Sequence, residues 1–299
     1  MTVMHVVIGG ASGFLGGALT QHLRANGHQV TRLVRSGGTA GDTSLWDPRT
    51  GRLDASVIDS ADAVVNLSGS PISQWPRTKA RKQEIRQSRL SATSTLARAI
   101  AASSTPTAFI SGSGMSWYGV DRGDELLDES ASSGRGFLAD VSQEWEDAAA
   151  PAIESGARTA FVRTSLVLDQ DGGMLKLMLP VWKLGGGAKL GNGRQYMSLI
   201  SRHDWVRGVE LLVTSPEASG PFNFAMPQSV TNAEFTDALG EAVHRPTFLA
   251  APRVAVKAVL GGLSDDLLGS LRLAPSALVD AGFTFDHPDL RSALGAAVR

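Results

Sequence analysis

The chain has 299 residues, with 28 Lys and Arg against 29 Asp and Glu and a formal net charge of -1. That balance excludes a broadly basic surface for nucleic-acid phosphates. The absence of cysteine excludes disulfides, zinc–thiolate centres, iron–sulfur clusters and thiol nucleophiles together.

With 42% hydrophobic residues, the chain has enough apolar content for one large domain or two modest ones. The first residues reach Gly9 and Gly10 without a basic segment or a signal-peptide core. No apolar run approaches ~18 residues without a charge or breaker. A cytoplasmic protein with no membrane span is therefore expected. Glycine is in excess, at 33 residues against a typical share of about 7%.

In chain order, Val3–Gly9 reads as a compact apolar strand. Gly13–Asn26 reads as a helix closed by Gly27. Gln29–Val34 and Asp62–Leu67 are strands, Lys79–Ser103 a long helix, Thr107–Ser111 a strand, Phe137–Ser155 a helix and Arg158–Arg163 a strand. Apolar strands separated by long helices predict βαβ units and a parallel sheet covered on both faces.

The rhythm changes after residue 165. Glycine-rich loops at 169–173 and 185–193 flank a helix at Met174–Leu184, and the second is expected to border a pocket. A strand-like run at Tyr196–Ser201 precedes a helix at His203–Thr214 and a short strand at Phe222–Phe224. Thr231 with Glu234 forms a capping box. The last fifty residues read as helical, with Pro252, Pro275 and Pro288 before helix starts. The expected fold is α/β: a Rossmann-like, doubly wound parallel sheet over residues 1–165. A small, mostly helical C-terminal substrate lobe over 166–299 interleaves with the last sheet elements.

Gly10-Ala11-Ser12-Gly13-Phe14-Leu15-Gly16 lies between the first strand and the first helix. Glycine there lets the backbone approach a pyrophosphate, and the helix start supplies N–H groups and a positive dipole end. Gly10, Ser12, Gly13, Phe14, Leu15 and Gly16 are therefore candidate dinucleotide-binding residues. An acid about 20 positions further on would hold an adenosine ribose hydroxyl and signal NAD. Between His28 and Gly41 there is none. Arg35 sits where that acid would stand and Arg32 is nearby, and a guanidinium suits a ribose 2′-phosphate. The expected cofactor is NADP(H).

These segments resemble an extended, atypical short-chain dehydrogenase/reductase. More narrowly, they resemble an epimerase-like family, sometimes labelled SulA-like, whose last segment is a domain of unknown function, here about 249–297. The resemblance rests on Gly10–Gly16, Val64–Gly69, Arg81–Ile85 with Ser88–Leu90, Ser111–Ser113 with Trp117–Gly119, Trp145-Glu146, Gly191–Gln195, Val230–Phe235 and Ala281–Leu290. It implies that Asn66, Leu67, Ser68, Gly69 and Val167 border the cofactor. It also implies a small-molecule substrate, with a nucleotide sugar suggested by the wider family, and either a monomer or a homodimer.

Such enzymes normally use a Ser or Thr, a Tyr, and a Lys four residues after the Tyr. Here the two tyrosines, Tyr118 and Tyr196, are followed at that spacing by Arg122 and Ile200. Aligned on Trp145-Glu146, the Tyr and Lys positions fall near Leu138 and Ser142. Ser113, at a strand end, and Tyr118 are the remaining catalytic candidates. Arg89 on the long helix is a candidate for an anionic substrate. The six histidines are scattered, with no pair at ligand spacing, so no metal site is expected. Two functions stay open: an NADP-dependent oxidoreductase or epimerase-like enzyme, and a non-catalytic NADP-binding sensor or partner-binding module.

Overall fold

The computed structural model describes residues 2–37, 41–72, 76–261 and 264–298. Two compact units alternate along the sequence. The first holds the chain up to Ser113, Asp140–Arg163 and Val206–Pro221. The second holds Gly114–Ala139, Thr164–Trp205 and the chain from Phe222 onward.

The elements begin with β1 (His5–Gly9), α1 (Phe14–Ala25), β2 (Gln29–Val34), β3 (Thr43–Asp47), β4 (Arg52–Leu53), α2 (Ala55–Asp59), β5 (Ala63–Asn66), α3 (Lys79–Ala102) and β6 (Ala108–Gly114). They continue with β7 (Leu126–Leu127), α4 (Phe137–Asp147), α5 (Ala150–Glu154) and β8 (Thr159–Thr164). The main sheet runs Gly220–Phe224, β8, β6, β5, β1, β2, β3, β4. β6 pairs with β5, β5 with β1, β1 with β2 and β2 with β3, all parallel, and β4 joins β3 antiparallel.

Strand order reverses about β1, with β2 on one side and β5 on the other. This is a topological switch point, where open α/β sheets bind ligands at the strands' carboxyl ends. Register sets those ends level: Gly9 pairs with Leu33 and with Asn66, and Asn66 with Ser111. The central strands β1, β5 and β6 are buried nearly throughout because both faces are covered. Val7, Leu33, Trp46, Ile58, Val64, Leu96, Phe109 and Phe161 form one core, each large side chain contributing about 1.5–3 kcal/mol of transfer free energy.

Three differences from the sequence reading have local causes. β3 and β4 were not expected; Trp46 of β3 is 4% exposed in the core just named, and burial overrides a weak local pattern. The helix expected over 137–155 is two helices, and Pro151 lies in the first turn of the second, where a ring without an N–H is tolerated and a continuous helix is not. The run 196–201 is two short strands, Tyr196–Met197 and Leu199–Ser201.

In the second unit, Leu168, Leu175, Trp182, Leu199, Met226, Phe235 and Leu294 share a core. The Thr231–Glu234 capping box is present, and Pro252 and Pro275 immediately precede helices. No helix among the described residues is long and apolar enough to cross a membrane.

Candidate functional site

The glycine loop closes tightly on itself. Gly10 has φ +81°, and a Cβ there would lie 2.7 Å from the Leu67 carbonyl, so the loop after β5 rests directly on Gly10. A Cβ on Gly16 would lie 2.2 Å from the Gly10 carbonyl oxygen, so α1 packs against the same turn. Gly13 stands at the N-cap of α1 with no side-chain cap, and the first turn holds no acid. Its dipole end is therefore not neutralised by this chain's own carboxylates.

Asn66, the last residue of β5, is fully buried. Its Nδ2 donates to Thr93 Oγ1 at 2.9 Å and its Oδ1 accepts from the Ser68 N–H at 3.1 Å. Asn66 thus positions the loop, with both ends of its amide engaged. Ser68 Oγ is buried with no hydrogen-bond partner, a state that costs about 1–3 kcal/mol unless a ligand satisfies it. A Cβ on Gly9 would lie 3.0 Å from this oxygen, which places it beside the switch point. The residues present therefore fit a dinucleotide: a turn only glycine can make, an uncapped helix start, and an orphan hydroxyl next to both.

Arg32 Nη2 on β2 lies 2.9 Å, and Arg24 Nη2 on α1 2.5 Å, from Asp42, which lies just before β3. Hydrogen bonds from Arg32 and Arg24 hold the Asp42 carboxyl down to about 2. Arg35, just past β2, is exposed and makes no ion pair among the described residues. Two guanidiniums thus share one carboxylate, and a third arginine follows at the end of β2. Asp42 lies one residue beyond the stretch found free of acids, and the β2–β3 pairing, which sets Arg32 opposite Thr43, brings it to Arg32.

Ser113, on β6, is the last residue of the first unit's opening segment. Its hydroxyl donates to Glu146 Oε1 at 2.7 Å. Arg163 grips the same carboxylate, Nε to Oε1 and Nη2 to Oε2, each at 2.9 Å. With its proton directed to Glu146, Ser113 offers lone pairs to any further group.

Arg89 is half-buried on α3 and donates to the Ser70 and Ile85 carbonyls at 3.0 and 3.1 Å. Burial, together with the charge of Arg81, lowers its pKa to about 10. Ser142, aligned with the usual lysine, is buried at 5% exposure.

Gly10–Gly16, Arg32, Arg35, Asn66–Gly69, Arg89 and Ser113 all belong to the first unit, whereas Tyr118 and Val167 belong to the second. Val167 is buried in a two-stranded ladder opposite Ile200. Tyr118 is fully buried, and its hydroxyl faces Asn223 Oδ1 at 2.8 Å and the Asp128 carbonyl at 3.1 Å. Asn223 in turn donates to the Leu127 and Ala274 carbonyls. Tyr118 is therefore a core residue with its proton committed, which removes the basis for treating it as a proton donor.

His203, Asp204 and Asp286 are the group among the described residues whose ligand-type atoms converge, within 4.8 Å. Asp204 is spoken for: its carboxylate accepts from the backbone N–H groups of Asp286 and His287 at 3.0 and 2.9 Å, which locks a turn.

Epimerase family protein Mb2239 of Mycobacterium bovis is 45% identical over 293 residues, covering 98% of this chain and 97% of its own. The chain belongs to the epimerase family. The NAD dependent epimerase/dehydratase family model matches residues 6–136, and a domain of unknown function, DUF1731, matches 251–297. Among solved structures, human epimerase family protein SDR39U1 (isoform 2) with NADPH superposes with a TM-score of 0.89 at 31% identity, covering 99% of both chains. The nucleoside-diphosphate sugar epimerase from Corynebacterium glutamicum gives 0.83 at 34% identity, covering 99% of this chain and 58% of that one. This epimerase-family chain therefore has the NAD(P)-binding, Rossmann-type fold of the extended short-chain dehydrogenases.

Proposed function

We propose that this epimerase-family protein binds NADP(H) in preference to NAD(H) and exchanges hydride with a small, oxygen-bearing substrate of the nucleotide-sugar kind. The observation that carries the reading is the excess of guanidiniums over carboxylates around β2. Arg24 and Arg32 share Asp42, and the exposed Arg35 makes no ion pair among the described residues, where an NAD-binding site would carry an acid. The NADPH in the human relative and the Corynebacterium protein's activity class agree with it.

Gly10, Gly13 and Gly16 would carry the pyrophosphate against the start of α1, and Ser68 Oγ would gain a partner there. Arg35, with Arg32, would face the 2′-phosphate. A bound nicotinamide supplies the hydride chemistry. Ser113, its own proton held by Glu146, accepts a hydrogen bond from a substrate hydroxyl and so orients the carbon that carries it.

The second reading, a redox-ratio sensor, is favoured by one observation: the Tyr118 hydroxyl is committed within a core, while the expected Tyr and Lys positions fall near Leu138 and Ser142. NADPH consumption across a panel of sugar-nucleotide and small carbonyl substrates separates the two. Turnover that Ser113→Ala lowers at least ten-fold supports the enzyme. Tight NADPH binding with no turnover across the panel supports the sensor.

A further inference from the structure

The strand ends of the first unit carry a stack of side chains that the cofactor loop does not use. The Arg89 guanidinium lies across Gly69, where a Cβ would fall 3.0 Å from Cζ and 3.1 Å from Nη1. The same guanidinium stacks on the Trp145 ring, 4.9 Å from its centre. That ring lies across Gly112, where a Cβ would fall 2.9 Å from Cζ2. Two glycines thus make room for one stacked cation–indole pair. Gly69 follows β5 and Gly112 lies on β6, neighbouring parallel strands.

The polar accounting of this stack is incomplete. Arg89 Nη1 is satisfied by two carbonyls, yet the guanidinium has no carboxylate partner among the described residues. Its neighbour Arg81 adds positive charge, and Glu84, which pairs with Arg81 at 2.6 Å, is spent on that residue. Trp145 is 9% exposed, and its Nε1–H is buried with no acceptor. A half-buried cation and a buried N–H donor, neither with an anion among the described residues, stand side by side. Buried charges of this kind are ordinarily paired. Burial lowers the Arg89 pKa only to about 10, so the guanidinium is cationic at neutral pH and still requires a counter-ion.

We propose that Arg89 stacked on Trp145 is an oxyanion subsite that selects a substrate bearing a carboxylate or phosphate group. The planar guanidinium suits either group, and the indole N–H adds a donor. This rests on the reading that ligands occupy the carboxyl ends of β5 and β6. The shared chemistry is an oxyanion, and its two sources are the substrate and a phosphate of the cofactor.

The test uses the full chain with and without saturating NADPH. Titration calorimetry compares acetate with acetamide, malonate with malonamide, and inorganic phosphate with buffer alone. In the wild type at least one anion binds roughly ten-fold or more tightly than its neutral match, as a charge-assisted contact gives. Arg89→Gln abolishes that preference while NADPH affinity stays within about three-fold. Arg89→Lys, which keeps the charge and loses the plane, retains a reduced preference and serves as the folding control. No anion preference in the wild type, or preference retained in Arg89→Gln, overturns the proposal. A ten-fold or greater loss of NADPH affinity in Arg89→Gln also overturns it, because the cation then serves a cofactor phosphate. Failure of the wild type to bind NADPH at all strikes the cofactor reading instead, and the titrations without NADPH still decide Arg89.

Discussion

Arg163 and Glu146 form a bidentate ion pair at 2.9 Å on both arms, with side chains only 4% and 11% exposed. Removing one member strands a buried charge. Glu146→Ala is expected to destabilise the protein by about 3–5 kcal/mol, measured by denaturant unfolding. Glu146→Gln should keep the Ser113 hydrogen bond and lose less. Equal stability of both variants with the wild type would show that the pair is not holding α4 to β8.

Tyr118→Phe tests the assignment of that phenol to the core. The variant leaves Asn223 Oδ1 buried without its donor, at a cost of about 1–3 kcal/mol. Thermal unfolding should shift down, while NADPH affinity and any turnover per folded molecule stay unchanged. Turnover abolished in a folded Tyr118→Phe protein would restore the phenol as a proton donor.

The first βαβ unit was legible in the sequence because its information is local: Gly10, Gly13 and Gly16 fall within seven residues between a strand and a helix. The capping box at Thr231 was legible for the same reason. What stayed hidden joins residues far apart. Asp42 reaches Arg32 only through the pairing of β2 with β3, and β3 itself is short, with one face exposed. Ser113, Glu146 and Arg163 come from a strand, a helix and another strand, and no spacing rule links them. The Trp145 sequence carried a resemblance, but its stacking under Arg89 depends on two glycines on different strands. The burial of Tyr118 and its bond to Asn223, a residue 105 positions away, were equally invisible in the local sequence.

The pH dependence of stability should contain a contribution from Glu210. Burial pushes its carboxyl up, but hydrogen bonds from Asn26 and His22, the charge of His22 and a hydrogen bond from His28 outweigh that and leave it below the ordinary value. A carboxyl depressed in the folded state contributes stability that is fully present above its unfolded value, about 4.3. That stability is lost as pH falls through the lower folded value. Glu210→Gln should therefore be less stable at pH 7 and show a shallower loss on acidification below about pH 4.3. An acid-unfolding profile identical to the wild type would contradict this.

The close contact of α1 with the glycine loop predicts that Gly16→Ala is not tolerated quietly. Its Cβ would meet the Gly10 carbonyl at 2.2 Å, and relief requires the helix start to move away from the turn. A cost of about 1–3 kcal/mol is expected for such overpacking, with NADPH affinity reduced at least ten-fold. A variant that binds NADPH as the wild type does would mean that the loop does not carry the pyrophosphate.

The measurement that bears most directly on cofactor choice is equilibrium titration of the wild type and Arg35→Ala with NADPH and NADH, at fixed salt. The wild type should bind NADPH at least ten-fold more tightly than NADH, and Arg35→Ala should lose most of that difference by weakening NADPH alone. Equal affinity for the two cofactors, or a preference that survives Arg35→Ala undiminished, would contradict the assignment of Arg35 and Arg32 to a 2′-phosphate.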